Sequence, residues 1–202
     1  MNYKKIILIG FLSIFLFSCD DTFKEIGRKF SIKKVKNEEM EKYNGYIEIH
    51  NNLTNIENEI SKYIDVAGES KEINAQEIGI LESLPVIKID NAVIQKLEKN
   101  INSKFKMEKL DNSSKRLLPI LKELKAVTDS MTNYYGKKEY LADNFSKGQQ
   151  LHTNFLKIYK RYKESSNIFK TEVENKTKER VQKILETYKN EGSLIKYNLA
   201  IL

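Results

Sequence analysis

The sequence predicts an all-α protein, an elongated antiparallel helical bundle. Three observations carry this expectation. Proline occurs only twice in 202 residues and the eight glycines are scattered, so little interrupts a helix. Lys, Glu, Asn, Ile and Leu dominate, and no segment sustains the alternation of a strand. Four stretches instead repeat apolar residues every three or four positions, the period of one helix face.

The N-terminus reads differently. Lys4 and Lys5 precede Ile6 to Phe17, which is uncharged and mostly Ile, Leu and Phe. This is the layout of a secretory signal, too short for an ordinary spanning helix. The run ends in Leu16-Phe17-Ser18-Cys19. A branched apolar residue three before a cysteine, with a small residue directly before it, resembles the bacterial lipobox, although Phe17 is bulkier than usual at its place. The resemblance implies a diacylglycerol on the Cys19 thiol, cleavage before Cys19 and acylation of the new amino group by palmitate or a similar chain. Residues 1–18 are then a cleaved signal peptide. The competing reading is an ordinary secretory signal with an incidental cysteine, but Cys19 is the only cysteine in the chain. One acyl chain binds membranes marginally and two or more hold firmly. A lipidated Cys19 leaves no thiol for a disulfide, so the fold must stand on its core. The expected location is the bacterial cell envelope, periplasmic or surface-exposed. Asp20 favours the inner membrane in enteric bacteria, a rule that does not carry over to others, so inner or outer membrane stays open.

Formal net charge is +7, of which the signal contributes Lys4 and Lys5. From Thr22 to Lys36, six basic residues (Lys24, Arg28, Lys29, Lys33, Lys34, Lys36) stand against Glu25. Residues 19–36 therefore read as a lipidated, basic tether. It either attracts anionic headgroups, at about 1 kcal/mol per residue near a surface, or is simply solvated. With Asp20 and Asp21 also set aside, the body from Asn37 carries only +2. Nucleic-acid binding needs a basic face, so no nucleic-acid partner is expected.

Within the body, residues 37–202, the first helix runs from about Asn37, with Met40, Tyr43, Ile47, His50, Leu53, Ile56, Ile60 and Ile64 on one face and Gly68 as its stop. Glu69 to Ala75 is polar and reads as a loop; Glu77 to Pro85 fits a short helix or an irregular segment. Asp90 or Asn91 caps a second helix reaching about Lys109, with Val93, Leu97, Ile101 and Phe105 inward. Ser113 or Ser114 opens a third, striped by Leu117, Leu121, Leu124, Val127 or Thr128, Met131 and Tyr135, with Gly136 at its end. Pro119 would sit about five residues in, so this helix either starts later or bends there. The fourth, Lys147 to about Asn190, faces inward with Leu151, Phe155, Ile158, Tyr162, Phe169, Val173, Val181, Leu185 and Tyr188. At 1.5 Å per residue it spans roughly 65 Å and needs partners along most of its length. Leu194 to Leu202 is apolar to the last residue, and either docks on the bundle or belongs to a longer helix.

Tyr134-Tyr135 is followed by Lys138, Tyr140, Asp143, Lys147-Gly148 and Leu151-His152. This pattern resembles the signature of the YiiG-like bacterial lipoproteins, a family of unknown function. Upstream, Tyr46-Ile47 followed by His50-Asn51 is similar to an early segment of that family, with His50 where a tyrosine is expected. The similarity runs from about Glu41 to Leu202. The resemblance implies a helical lipoprotein and chain continuing beyond this C-terminus, and it transfers no catalytic residue.

Physically, Tyr134, Tyr135, Tyr140, Lys137, Lys138, Asp143 and His152 admit two readings. Rings beside cations suit a glycan or acidic ligand. A tight helix–helix connection, with packed tyrosines and Asp143 capping the long helix, explains the same residues and is favoured. His50 and His152 lack the spacing of a zinc helix. They could meet with Asp143 around a metal, but buried, hydrogen-bonded histidines are the favoured reading, and no metal or cofactor is implied. No Ser lies in a nucleophile elbow and no Gly-rich loop cradles phosphate. Two functions remain: a noncatalytic envelope module binding a protein, lipid or wall partner, which is preferred, and an envelope hydrolase using Tyr, His50 or His152, and Asp143.

Overall fold

A computed structural model describes residues 34–70, 84, 86–190 and 192. The expected signal peptide, Cys19, most of the expected tether, most of the expected loop after Gly68 and of Glu77 to Pro85, and the apolar C-terminus lie outside the described residues. The chain divides into two units, Met1–Glu41 and Lys42–Leu202. Of the first, Lys34–Glu41 is described and is helical.

Four α-helices are described: α1 (Lys34–Ala67), α2 (Asn91–Ile101), α3 (Glu108–Gly136) and α4 (Ser146–Asn190), with a 3-10 turn at Glu139–Leu141. No strand occurs among the described residues, and the fold is an all-α helical bundle as the periodicity predicts. Directions follow from side-chain partners in the second unit. Tyr43 bonds Thr177 of α4, Glu57 holds Lys170, and Tyr63 bonds His152. Rising numbers on α1 meet falling numbers on α4, so the two are antiparallel. Arg161 of α4 pairs with Glu123, and Gly148 lies against Tyr134, so α3 is also antiparallel to α4. The short α2 runs against α1, with Asn100 bonding the Lys42 carbonyl and Lys96 pairing with Glu48.

The buried face of α1 is Tyr43, Tyr46, Ile47, Ile49, Leu53, Ile56, Ile60, Tyr63 and Ala67. That face is rotated slightly from the sequence stripe: Ile49 and Tyr63 are buried, while His50 and Ile64 sit at its edge. Leu117, Leu121 and Leu124 of α3 and Phe155, Tyr162 and Phe169 of α4 are fully buried, completing one core whose apolar burial drives the association. Gly68 does end α1. Its φ is +81°, which costs glycine little, and its N–H donates to the Ile64 carbonyl at 2.8 Å.

Asp90 caps α2 through the Ala92 N–H at 2.9 Å, but α2 stops at Ile101 rather than Lys109. The Ser103 N–H turns back to the Asn100 carbonyl. The Phe105 carbonyl accepts the Lys42 ammonium at 2.7 Å and so leaves the helical ladder. Consequently α3 begins at Glu108, ahead of Ser113, and runs through Pro119. Both Pro119 and Lys115, whose carbonyl loses its donor, are exposed, so the unpaired carbonyl is open to solvent.

Helix α4 is continuous over 45 residues. Its buried stripe ends at Val173, and Val181, Leu185 and Tyr188 are only half-buried. The cause is geometric. Arg180 lies over the Tyr43 ring, one residue from the N-terminal limit of this unit at Lys42, so few residues of the unit's part of α1 lie level with the last turns of α4. Glu179, between Lys176 and Lys183, has its carboxyl pushed down to about 2 by those bonds, and such pairs support an exposed helix end.

Candidate functional site

The turn between α3 and α4 gathers the motif residues. Helix α3 ends at Gly136 with Lys137 as its cap, and Lys138 takes a left-handed φ of 53°. Asn144 and Phe145 follow with φ of 50° and 65°, a conformation that is costly for a bulky side chain. Asp143 compensates. One carboxylate oxygen accepts the Tyr134 hydroxyl at 2.8 Å and the Phe145 N–H at 3.0 Å; the other accepts the Lys147 N–H at 3.0 Å. Asp143 is thus the cap of α4, as the sequence suggests. Burial works to raise its pKa, but the Tyr134, Lys147 and Phe145 bonds outweigh it and hold the carboxyl below its ordinary value.

Tyrosine rings fill the turn. Tyr134 is buried and meets Tyr135 edge-on at 5.2 Å and Tyr140 at 6.3 Å. The Lys147 ammonium lies 5.5 Å from the Tyr134 ring and pairs with Glu139 at 2.7 Å. Gly148 permits the closest approach, since a Cβ there would stand 2.7 Å from Phe145 Cδ2 and 2.8 Å from Tyr134 Cε1. Burial raises the Tyr134 pKa strongly and pushes Tyr135 up to about 12, so both hydroxyls remain neutral.

His152 is wholly buried. Its Nε2 lies 2.9 Å from the Ser70 carbonyl and its Nδ1 2.7 Å from the Tyr63 hydroxyl. A carbonyl only accepts, so Nε2 carries the proton and Nδ1 accepts from Tyr63. The Tyr135 hydroxyl is buried beside that of Tyr63 without a well-formed hydrogen bond. Burial lowers the His152 pKa and raises that of Tyr63. The imidazole is therefore neutral and fully engaged, the favoured sequence reading.

His50 does not join it. It lies thirteen residues before Tyr63 on α1, roughly 20 Å away along the axis, near Lys170, Glu174 and Glu57. Its ring makes a long 3.5 Å contact to the Asn51 side chain. The meeting of His50 and His152 with Asp143 that the metal reading needs is not formed, and no cluster of three or more metal-ligating side chains occurs among the described residues. What the turn can do is hold three helices together through hydrogen bonds.

Sequence reasoning missed Tyr63, Ser70 and Phe145 as members of this junction, and missed a second polar centre. There the Lys42 ammonium meets Asp111 at 2.6 Å and both side chains are buried. Tyr46 donates to the same carboxylate at 2.6 Å and the Met107 N–H at 3.0 Å. The available signal was weak: a lysine directly before Tyr43 and an aspartate one residue after Leu110 in otherwise apolar phase.

Changing Asp143 to Ala is expected to lower the melting temperature and fray the start of α4. Because the folded carboxyl titrates below its unfolded value, its contribution is present above pH 3.8 and is lost as pH falls through the folded pKa. Circular dichroism melts at neutral and acid pH check both; an unchanged melt at neutral pH would contradict the capping role.

These features define an all-α bundle closed at one end by a polar, aromatic helix junction. Residues 37–202 match the family described as Protein of unknown function (DUF3829), and the chain belongs to that family. No curated protein and no solved structure gives a match.

Proposed function

We propose that this chain is a membrane-anchored bacterial envelope lipoprotein, of the YiiG-like type, whose helical bundle is a noncatalytic binding or structural module. The observation that carries the anchor is Leu16-Phe17-Ser18-Cys19, with the chain's single cysteine at the end of a signal-like apolar run. No described helix is long and apolar enough to cross a membrane, and lipid on Cys19 would supply attachment instead. The noncatalytic reading is supported by the junction, where His152, Tyr63, Tyr134 and Asp143 are bonded to one another or to the backbone. Catalytic groups need reach to a substrate atom, and these are spent on the fold. The partner is an envelope protein, a lipid or a cell-wall component.

Cys19→Ala is expected to abolish incorporation of labelled palmitate and to release the protein from membranes or leave it unprocessed. Unchanged labelling and fractionation would overturn the anchor. In-cell crosslinking, with the same variant as control, should give one dominant protein adduct that is lost with the anchor; a reproducible adduct that survives anchor loss would contradict a membrane-positioned module.

A further inference from the structure

We propose that the Tyr63–His152–Ser70 junction is an acid-sensitive latch, in which protonation of one buried imidazole loosens the C-terminal end of α1 from the start of α4. The geometry joins both helices and the Ser70 backbone through a single ring that is 0% exposed. Both ring nitrogens are committed, Nε2 to the Ser70 carbonyl and Nδ1 to the Tyr63 hydroxyl. A proton added at Nδ1 removes the acceptor that Tyr63 uses. Tyr63 must then accept from the Nδ1–H and turn its hydroxyl to donate to the Tyr135 oxygen beside it, and a cation is left in the interior.

Among the described residues, no charged group acts on the ring to offset that cation. From α1 it is faced by Tyr63, from α3 by the Tyr135 hydroxyl behind Tyr63, and on α4 the Tyr63 ring is backed by Phe155 at 5.0 Å. Asp143 is occupied by Tyr134 and the start of α4, and Lys147 by Glu139. Glu69, next to Ser70, acts on Tyr159. A buried charge with no partner is strongly disfavoured. Burial holds the His152 pKa below its ordinary 6.5, so the folded protein binds fewer protons than the unfolded chain. The latch is intact above that ordinary value and weakens as pH falls through the lower folded pKa.

The test is hydrogen exchange of the full chain at about pH 7.5 and about pH 5, corrected for intrinsic rates. Amides of Ile60–Gly68 are expected to lose protection relative to those of Leu117–Leu124, by roughly tenfold for each pH unit between the two pKa values. His50→Gln should keep this response, and His152→Gln should open the same end at both pH values with no further acid effect. Equal protection at both pH values in the unaltered protein, or an undiminished acid response in His152→Gln, would overturn the proposal. Should His152→Gln not fold, imidazole NMR of the unaltered chain decides: titration below 6.5 with Tyr63 signals moving in step supports the latch, and titration at or above it refutes the latch.

Discussion

Replacing Asp111 with Ala is expected to destabilise the bundle by about 3–5 kcal/mol, lowering the melting temperature by roughly 10 °C. The Lys42 and Asp111 side chains are 1% and 5% exposed and 2.6 Å apart. Loss of the carboxylate leaves the Lys42 ammonium with the Phe105 carbonyl at 2.7 Å and no counter-charge in this cluster. It also strips the acceptor from the Tyr46 hydroxyl and from the Met107 N–H that begins α3. Lys42→Met should cost less, because Asp111 keeps both of those donors and the methionine fills the same volume. Changing both together, to Met and Leu, should be milder than Asp111→Ala alone, since no charge is then buried unpaired. Urea denaturation at neutral pH gives the three values. Equal losses for Asp111→Ala and Lys42→Met would mean that Asp111 does not hold the Tyr46 and Met107 donors as well as Lys42.

That centre also explains where the sequence could be read and where it could not. Helix class, the four described helices and the long span of α4 were legible because each depends on a period repeated over many residues. The ends that were legible were those written in one residue type, Asp90 at the start of α2 and Gly68 after α1. The stop of α2 at Ile101 and the start of α3 at Glu108 were not. Both are fixed by Lys42, some sixty residues earlier, through the Phe105 carbonyl and Asp111. No local pattern in Asn100 to Ser114 carries that information. Pro119 suggested a later start that α3 does not have, for a related reason: its cost depends on whether the Lys115 carbonyl faces solvent, and that is set by which face of α3 packs inward.

The junction divides the same way. Asp143 as a cap was legible, being local to the helix it starts. His152 could be placed inside but its partners could not, because Tyr63 and Ser70 lie 89 and 82 residues away and Tyr63 falls between the counted positions Ile60 and Ile64. The tyrosines were legible as packing residues, since each has more ring than hydroxyl to bury. What their pattern did not reveal is the backbone demand at Asn144 and Phe145, where neither residue is the glycine that a positive φ favours.

Gly148→Ala puts that demand to a quantitative test, and it is expected to destabilise the protein by about 2 kcal/mol, roughly 5 °C in melting temperature. In an isolated helix the same change would stabilise by about 1 kcal/mol, so the sign itself is informative. The new methyl would stand 2.7 Å from Phe145 Cδ2, and closer to Cε2, with Tyr134 Cε1 at 2.8 Å on its other side. Neither ring can swing away cheaply. Phe145 is held by its left-handed backbone and by the Asp143 bond to its N–H, and Tyr134 is tied by its hydroxyl to the same Asp143. Gly136, at the end of α3, is the control, because nothing lies within 4 Å of a Cβ built there and its φ is not positive. Gly136→Ala should therefore be neutral or stabilising by up to about 1 kcal/mol. Opposite signs for two Gly→Ala changes twelve residues apart in sequence would locate the constraint at the contact between α4 and the turn. The same sign for both would instead assign it to backbone propensity.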